Sequence, residues 1–372
     1  MFNNIYKNRI VLITGHTGFK GSWLALWLCE LGARVFGYAL KPPTEPNHYD
    51  LINLGIEGVL EDIRNADAVN KAVKSYRPEI VFHLAAQSLV RESYRSPVET
   101  FDTNVMGTVN VLEACRLSGS VKAVVNITSD KCYENTEQGA SSYRETARLG
   151  GYDPYSASKG CAEIVTSAYL RSFFPPEDYL KTHTTLIASA RAGNVIGGGD
   201  WAKDRLVPDI VKSAARGEKV IIRNPRAVRP WQHVLEPLSG YLRLGQRLLE
   251  GEIACAGAWN FGPDDRGHLT VKEVLDALRE NWSAIDFRIH DINPAAPHEA
   301  GTLMLDCTKA RRELNWRPTW KSAEMIKETA QWYRDYYTHR YVSSHQQLQA
   351  YIRDAAAQKL VWSRNENNSD PD

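Results

Sequence analysis

The tightest constraint on the fold lies in the first 31 residues. An apolar run at 9–14 leads into Gly15-His16-Thr17-Gly18-Phe19-Lys20-Gly21, and a helix-forming stretch follows at 22–31. Glycines between a strand and a helix allow a tight turn. They also bring backbone N–H groups to a helix N-terminus with no Cβ in the way, which suits a pyrophosphate. An ordinary strand-to-helix turn is the plainer alternative. The spacing is G-x-x-G-x-x-G, and the Lys-Ser/Thr ending of an ATP-binding loop is absent. Further runs at 34–39, 80–84 and 123–128 are almost continuously apolar, as strands covered on both faces are. Stretches at 66–76 and 97–117 have helix length, the second opening on Ser96-Pro97, a good N-cap and first-turn pair. This alternation predicts a doubly wound, Rossmann-like α/β domain with a parallel sheet over residues 1–190.

Past Gly193 the texture changes. Gly197, Gly198 and Gly199 form a loop, and Pro225, Pro230, Pro237 and Pro263 interrupt the pattern. Helix-like stretches remain at 207–215, 271–279 and 322–336, so residues 191–362 read as a smaller mixed α/β lobe. Residues 363–372 are polar and expected to be disordered. Forty-five Lys and Arg against 44 Asp and Glu give a net charge of +1, which excludes a general nucleic-acid binder but leaves room for a local basic pocket. The apolar stretch at 21–29 is too short to span a bilayer and lacks a signal-peptide layout, so no membrane partner is expected. Cys29, Cys115, Cys132, Cys161, Cys255 and Cys307 show neither C-x-x-C nor zinc spacing. They read as reduced thiols of a cytoplasmic protein with no metal site.

Two constellations carry chemistry. Tyr155 and Lys159 stand at i and i+4 of a predicted helix over 155–170 and share a face. A free phenol has a pKa near ~10, and burial between a neighbouring cation and a bound nicotinamide cation would lower it. The spacing alone is also common in purely structural pairs. Ser129-Asp130-Lys131 follows the run at 123–128, where open α/β sheets carry their sites. A hydroxyl, a carboxylate and an amine there can bind a sugar hydroxyl, donate a proton and remove one. A strand-to-loop cap with a solvated lysine is the alternative. The second strand ends at Ala39-Leu40-Lys41, without the acid that usually receives the adenosine ribose. Lys41 either meets a 2′-phosphate or is solvated before Pro42. His83 and His233 border apolar runs and read as packing residues.

Together these pieces resemble the extended short-chain dehydrogenase/reductase family, the NAD-dependent epimerases and dehydratases of nucleotide sugars, over residues 8–330. The matching segments add Asp62-Ile63, His83-Leu84-Ala85-Ala86-Gln87, Asn104 and Arg191-Ala192-Gly193-Asn194-Val195. Three stretches are similar to the members that dehydrate CDP-glucose: Ser129 to Tyr133, Gly198-Gly199-Asp200-Trp201 and Arg223 to Val234. Relatives acting on dTDP-glucose carry Thr-Asp-Glu after the fifth strand, so Lys131 replaces a glutamate base here, and simple epimerases usually lack the pair. The resemblance implies NAD, with contacts from Gly15, Thr17, Gly18, Phe19, Lys20, Gly21, Asp62, Ile63, Leu84, Ala85, Ala86, Gln87, Asn104, Thr128, Tyr155 and Lys159. It implies catalysis by Ser129, Asp130, Lys131, Tyr155 and Lys159. Substrate contacts would come from Ser129, Asn194, Arg205, Arg229 and Asn260. Read without it, Arg205 is equally a surface ion-pair partner and Asn260 a strand-end turn residue. The implied reaction turns CDP-D-glucose into CDP-4-dehydro-6-deoxy-D-glucose and water by moving a hydride from carbon 4 to carbon 6. The implied assembly is a homodimer, or a dimer of dimers, paired through the helices at 97–117 and 155–170. A 4-epimerase or a dehydratase for another nucleotide sugar is the nearest rival. A non-catalytic NAD sensor is a more distant one, opposed by the intact Tyr155 and Lys159.

Overall fold

The computed structural model describes residues 1–135, 142–222, 224–264, 268–289 and 303–364. Six strands of the first half, β1 (Ile10–Thr14), β2 (Arg34–Ala39), β3 (Glu57–Leu60), β4 (Ile80–His83), β5 (Ala123–Ile127) and β6 (Leu186–Ala192), form a parallel sheet in the order β6-β5-β4-β1-β2-β3. Every residue of β4, β5 and β6 is buried, which explains their β-branched and small side chains. The direction of strand succession reverses between β1 and β4. Thr14 and His83 lie side by side at that switch point, and ligand clefts of such sheets open beyond it.

Two strands were not among the expected runs. β3 is an exposed edge of sequence Glu-Gly-Val-Leu, with no apolar run to mark it. β6 hides Ser189 and Arg191 in its interior because both are paired with a buried glutamate. Helix boundaries follow local chemistry. The first helix runs over Phe19–Glu30, so the loop's last residues already belong to it. Asn65 caps Ala66–Tyr76 through the Ala68 N–H, and Asp153 caps Pro154–Phe173 through the Ser156 N–H. The helix expected at 97–117 is three pieces in continuity: Pro97–Phe101, a π turn over Asp102–Met106, and Gly107–Ser118.

The second half returns to the first. Gly257–Phe261 pairs in parallel with β6 as a seventh strand of the same sheet. Small two-stranded sheets and the helices Leu206–Ala215, Leu235–Leu249, Val271–Asn281, Ser322–His339 and Ser344–Ala357 make up most of the remainder. All ten tryptophans are buried in one apolar cluster that includes residues of both halves. Trp362, just before the expected tail, stacks on Phe2 at 5.3 Å and on Tyr351 at 5.8 Å. Ser363 ends a short 3₁₀ turn, and the rest of that expected tail from residue 365 lies outside the described residues, as does Arg223. No helix among the described residues is long and apolar enough to cross a membrane.

Candidate active site

The glycine loop is built for close approach. Gly15 adopts φ +78°, and a Cβ on Gly21 would stand 2.1 Å from the Gly15 carbonyl oxygen, so neither position accepts a side chain. A Cβ on Gly15 would also meet the Ala85 nitrogen at 2.7 Å, which sets the loop directly against the end of β4. This bare backbone at the start of a 12-residue helix fits a dinucleotide pyrophosphate. Around it, Gly18 is the N-cap of the helix, Phe19 opens it, and the Thr17 hydroxyl donates to the Leu40 carbonyl at 2.9 Å.

Lys20 leaves this cradle. Its Nζ lies 3.4 Å from the Tyr241 hydroxyl, and burial pushes its pKa down to about 8, assisted by Arg205 and Lys159 and opposed by Asp130. The lysine expected at the cofactor therefore points toward Tyr241 and the charges of Asp130, Lys159 and Arg205.

Other expected cofactor residues fall into two sets. Ile63 is buried against Gly107, and Leu84, Ala85 and Ala86 follow β4 half-buried, Leu84 and Ala85 against Gly15. Asp62 is held by Arg64, whose guanidinium bonds keep its carboxyl below the usual carboxylate range. By contrast, Gln87, Asn104 and Thr128 spend side-chain groups on the protein. Asn104, in the π turn, accepts from the Gln87 N–H at 2.8 Å and donates to the Gln87 carbonyl and to Ser158 Oγ at 2.8 Å. The Gln87 amide donates to Thr100, and the Thr128 hydroxyl donates to Glu163. His83 is neutral, its pKa pushed down to about 3 by burial, between Thr14 and Thr108, and His233 is likewise buried between Trp23 and Trp320.

Titratable groups gather at the ends of β5 and β6. Ser129 donates to Asp130 Oδ1 at 2.9 Å and accepts the Lys131 N–H. Burial raises the Asp130 pKa against the opposing pull of Lys131, Ser129, Lys20 and Arg229. Gly193 makes room for it, since a Cβ there would sit 3.1 Å from Asp130 Oδ2. Lys131 is partly exposed, one residue farther out.

The expected lowering of the Tyr155 pKa is reversed within the chain. Burial raises the phenol to about 12, outweighing Ser129 and Arg205. Lys159 is itself lowered to about 8 by burial, and its Nζ lies 3.4 Å from the Ile127 carbonyl. Burial disfavours the charged form of both partners, and the second cation behind the expected lowering is that of a bound nicotinamide.

Substrate candidates also divide. Arg205 bonds Ser88 and Asp200, Arg229 lies on a strand facing the Asp130 charge, and Asn194 follows Gly193. Asn260 is fully buried. Its Oδ1 accepts from the Tyr133 hydroxyl at 2.7 Å and its Nδ2 donates to the Tyr143 and Asp306 carbonyls, so its amide braces the scaffold.

The family model for GDP-mannose 4,6 dehydratase matches residues 12–329. The chain belongs to this family of nucleotide-sugar dehydratases. Among the family's relatives, CDP-glucose 4,6-dehydratase of Salmonella typhimurium is 50% identical over 338 residues, covering 89% of this chain and 92% of the relative. The dTDP-glucose 4,6-dehydratase of Streptomyces antibioticus is 29% identical, covering 87% and 92%. A solved dTDP-glucose 4,6-dehydratase of Streptomyces venezuelae with NAD bound superposes at a TM-score of 0.71 with 25% identity, covering 88% of this chain and 97% of that one. The NAD complex of Thermus thermophilus UDP-glucose 4-epimerase gives 0.74, also at 25% identity, covering 87% and 99%.

For this dehydratase family member, a buried polar network was not foreseen from sequence. Glu163 accepts from Thr128, from Ser189 at 2.7 Å and from Arg191 at 2.7 Å. Arg191 also donates to the Tyr133 hydroxyl and lies over its ring, and burial of the pair is balanced by the Glu163 charge. Glu163 stands four residues after Lys159, so the same helical spacing that linked Tyr155 to Lys159 extends to it.

Proposed function

We propose that the chain converts CDP-D-glucose to CDP-4-dehydro-6-deoxy-D-glucose and water. The observation that carries this reading is the 50% identity to a CDP-glucose 4,6-dehydratase across nearly the whole chain. The proton-handling set of Ser129, Asp130, Lys131, Tyr155 and Lys159 at the strand ends supports it. NAD, held by the glycine loop with Asp62 and Ile63 beside it, supplies a reversible hydride store.

Tyr155 would take the proton of the carbon 4 hydroxyl once the positive charge of a bound nicotinamide, with Lys159 and Ser129 beside it, offsets the burial that otherwise keeps the phenol protonated. The 4-ketone acidifies the hydrogen on carbon 5. Lys131 acts at that carbon. Asp130, kept protonated to higher pH by burial, delivers a proton to the departing carbon 6 hydroxyl. Proton loss at carbon 5 and proton gain at oxygen 6 together release one water, and the 5,6-alkene left behind would regain the hydride removed from carbon 4 at its carbon 6 and a proton at carbon 5, so that no net redox occurs. Arg205, Arg229 and Asn194 hold the diphosphate, a guanidinium fork matching phosphate oxygens, while Asn260 braces the fold beneath them.

In this reading residues 1–190 mainly bind the dinucleotide and 191–362 mainly the nucleotide sugar. The product feeds deoxysugar synthesis for bacterial surface polysaccharides such as O-antigen. Free thiols at all six cysteines support a cytoplasmic setting. Exposed Val98, Met106, Leu117, Ile164 and Phe173 on the two candidate pairing helices support a homodimer.

The function is tested by incubating the protein with NAD and a panel of CDP-, UDP- and dTDP-glucose, then adding alkali. A 4-keto chromophore with CDP-glucose well above the others is expected. An epimer without chromophore, or preference for another nucleotide, overturns the reading.

A further inference from the structure

Arg205 joins segments that are far apart in sequence. Its Nη2 donates to Ser88 Oγ at 3.0 Å in the loop after β4, and its Nη1 donates to Asp200 Oδ2 at 2.9 Å. The arginine side chain is 33% exposed while that of Asp200 is 7% exposed, so a buried anion holds a part-exposed cation whose charge acts on Tyr155 and Lys20. Asp200 is itself gripped. Its Oδ1 accepts the Ala202 N–H at 3.0 Å. Its own N–H donates to the Tyr333 hydroxyl oxygen at 2.9 Å, and its carbonyl accepts the Tyr333 O–H at 2.6 Å. One phenol thus satisfies both backbone polar groups of Asp200.

The neighbouring residue adds to the lock. Trp201 packs edge-on against Trp332, Tyr333 and Tyr336 and donates Nε1 to the Tyr337 hydroxyl at 3.0 Å. The turn carrying Asp200 is therefore fixed to the helix Ser322–His339. A parallel link, Arg91 to Asp204 at 2.9 Å, joins the same two segments that Arg205 bridges. Burying a carboxylate beside one arginine is a poor source of stability, because desolvation cancels much of the attraction. It is a good way to fix a direction. A guanidinium has five N–H donors in a rigid fork, and the bonds to Asp200 and Ser88 leave others for an anion.

We propose that Asp200, gripped by Tyr333, is a positioning residue that aims the Arg205 guanidinium at the substrate diphosphate. This rests on the nucleotide-sugar reading above and deepens it. An arginine without that anchor would lose rotamer freedom at the moment of binding, and affinity for the diphosphate would fall accordingly. The nucleoside end of the substrate would not sense the change.

The test is calorimetric titration of the NAD-loaded protein with CDP, and with cytidine in competition. Asp200→Asn is expected to weaken CDP about tenfold and cytidine less than about twofold. KM for CDP-glucose should rise in step, with kcat little altered. Tyr333→Phe should weaken CDP in the same direction by about threefold. On an Arg205→Met background, Asp200→Asn should add almost nothing, because the two act as one unit.

Equal losses for CDP and cytidine, additive losses with Arg205→Met, or unimpaired CDP binding by Asp200→Asn each overturn the proposal. If Asp200→Asn does not fold, unimpaired CDP binding by Tyr333→Phe overturns it alone. Wild-type protein that binds no CDP at all overturns the substrate reading, and this proposal with it.

Discussion

At Asp130, burial and charge pull against each other. Desolvation raises its pKa above the ordinary 3.8 although cations surround it, so the folded protein holds this proton to higher pH than the unfolded chain does. The sign for stability follows. A raised folded pKa costs nothing below the unfolded value, and the cost grows as pH rises through the interval between the two. Asp130→Asn should therefore melt above wild type at pH 7.5. That gap should narrow at pH 4.5. The same variant should oxidise substrate but stall before elimination, so stopped-flow absorbance should show NADH accumulating. A variant that neither gains stability nor accumulates NADH contradicts the acid role. Lys131 is the other informative side chain, because an ammonium cannot accept a proton. If it is the carbon 5 base, Lys131→Met should abolish solvent deuterium entry at carbon 5 while NADH still forms. Lys131→Glu should restore part of it, as judged by mass spectrometry of recovered sugar. Continued exchange in the Met variant would leave Lys131 only polarising the ketone.

Among the elements, the π turn at Asp102–Met106 has the clearest consequence. It turns the Asn104 amide onto Gln87 and Ser158, tying the loop after β4 to the tyrosine helix one residue before Lys159. Asn104→Ala leaves those buried groups short of partners, at ~2–3 kcal/mol. It should lower the melting temperature by several degrees and slow turnover, while a conservative change at exposed Glu99 should do neither. Equal activity in a destabilised Asn104→Ala protein would make the tie purely structural. The difference between what could and could not be read from sequence is also physical. β1, β2, β4 and β5 were legible because burial on both faces leaves an apolar run. The glycine loop was legible because close backbone approach admits no Cβ. β3 was not, being a polar edge, and the π turn was not, because one inserted residue leaves no compositional trace. Asn260 and Lys20 matched motif positions, but their side-chain directions depend on partners more than 100 residues away in sequence, Tyr133 and Tyr241.

For the whole molecule, the seventh strand and the shared core bind the two halves into one unit. Buried tryptophans from Trp23 to Trp362 belong to a single cluster, and the buried carboxylate of Glu236 accepts from the Thr319 and Trp320 N–H groups and the Tyr351 hydroxyl, pinning the C-terminal helix. Unfolding followed by tryptophan fluorescence and by far-UV circular dichroism should therefore coincide in one transition. Two separated transitions would mean that the halves fold independently. Internal hydride transfer from carbon 4 to carbon 6 has a direct test. CDP-glucose deuterated at carbon 4 is incubated with the NAD-loaded protein in ordinary water, and the product is read by mass spectrometry and NMR. Deuterium at carbon 6, with solvent hydrogen at carbon 5, is the expected result. Deuterium retained at carbon 4 of an epimer, or washed out into water, would contradict it.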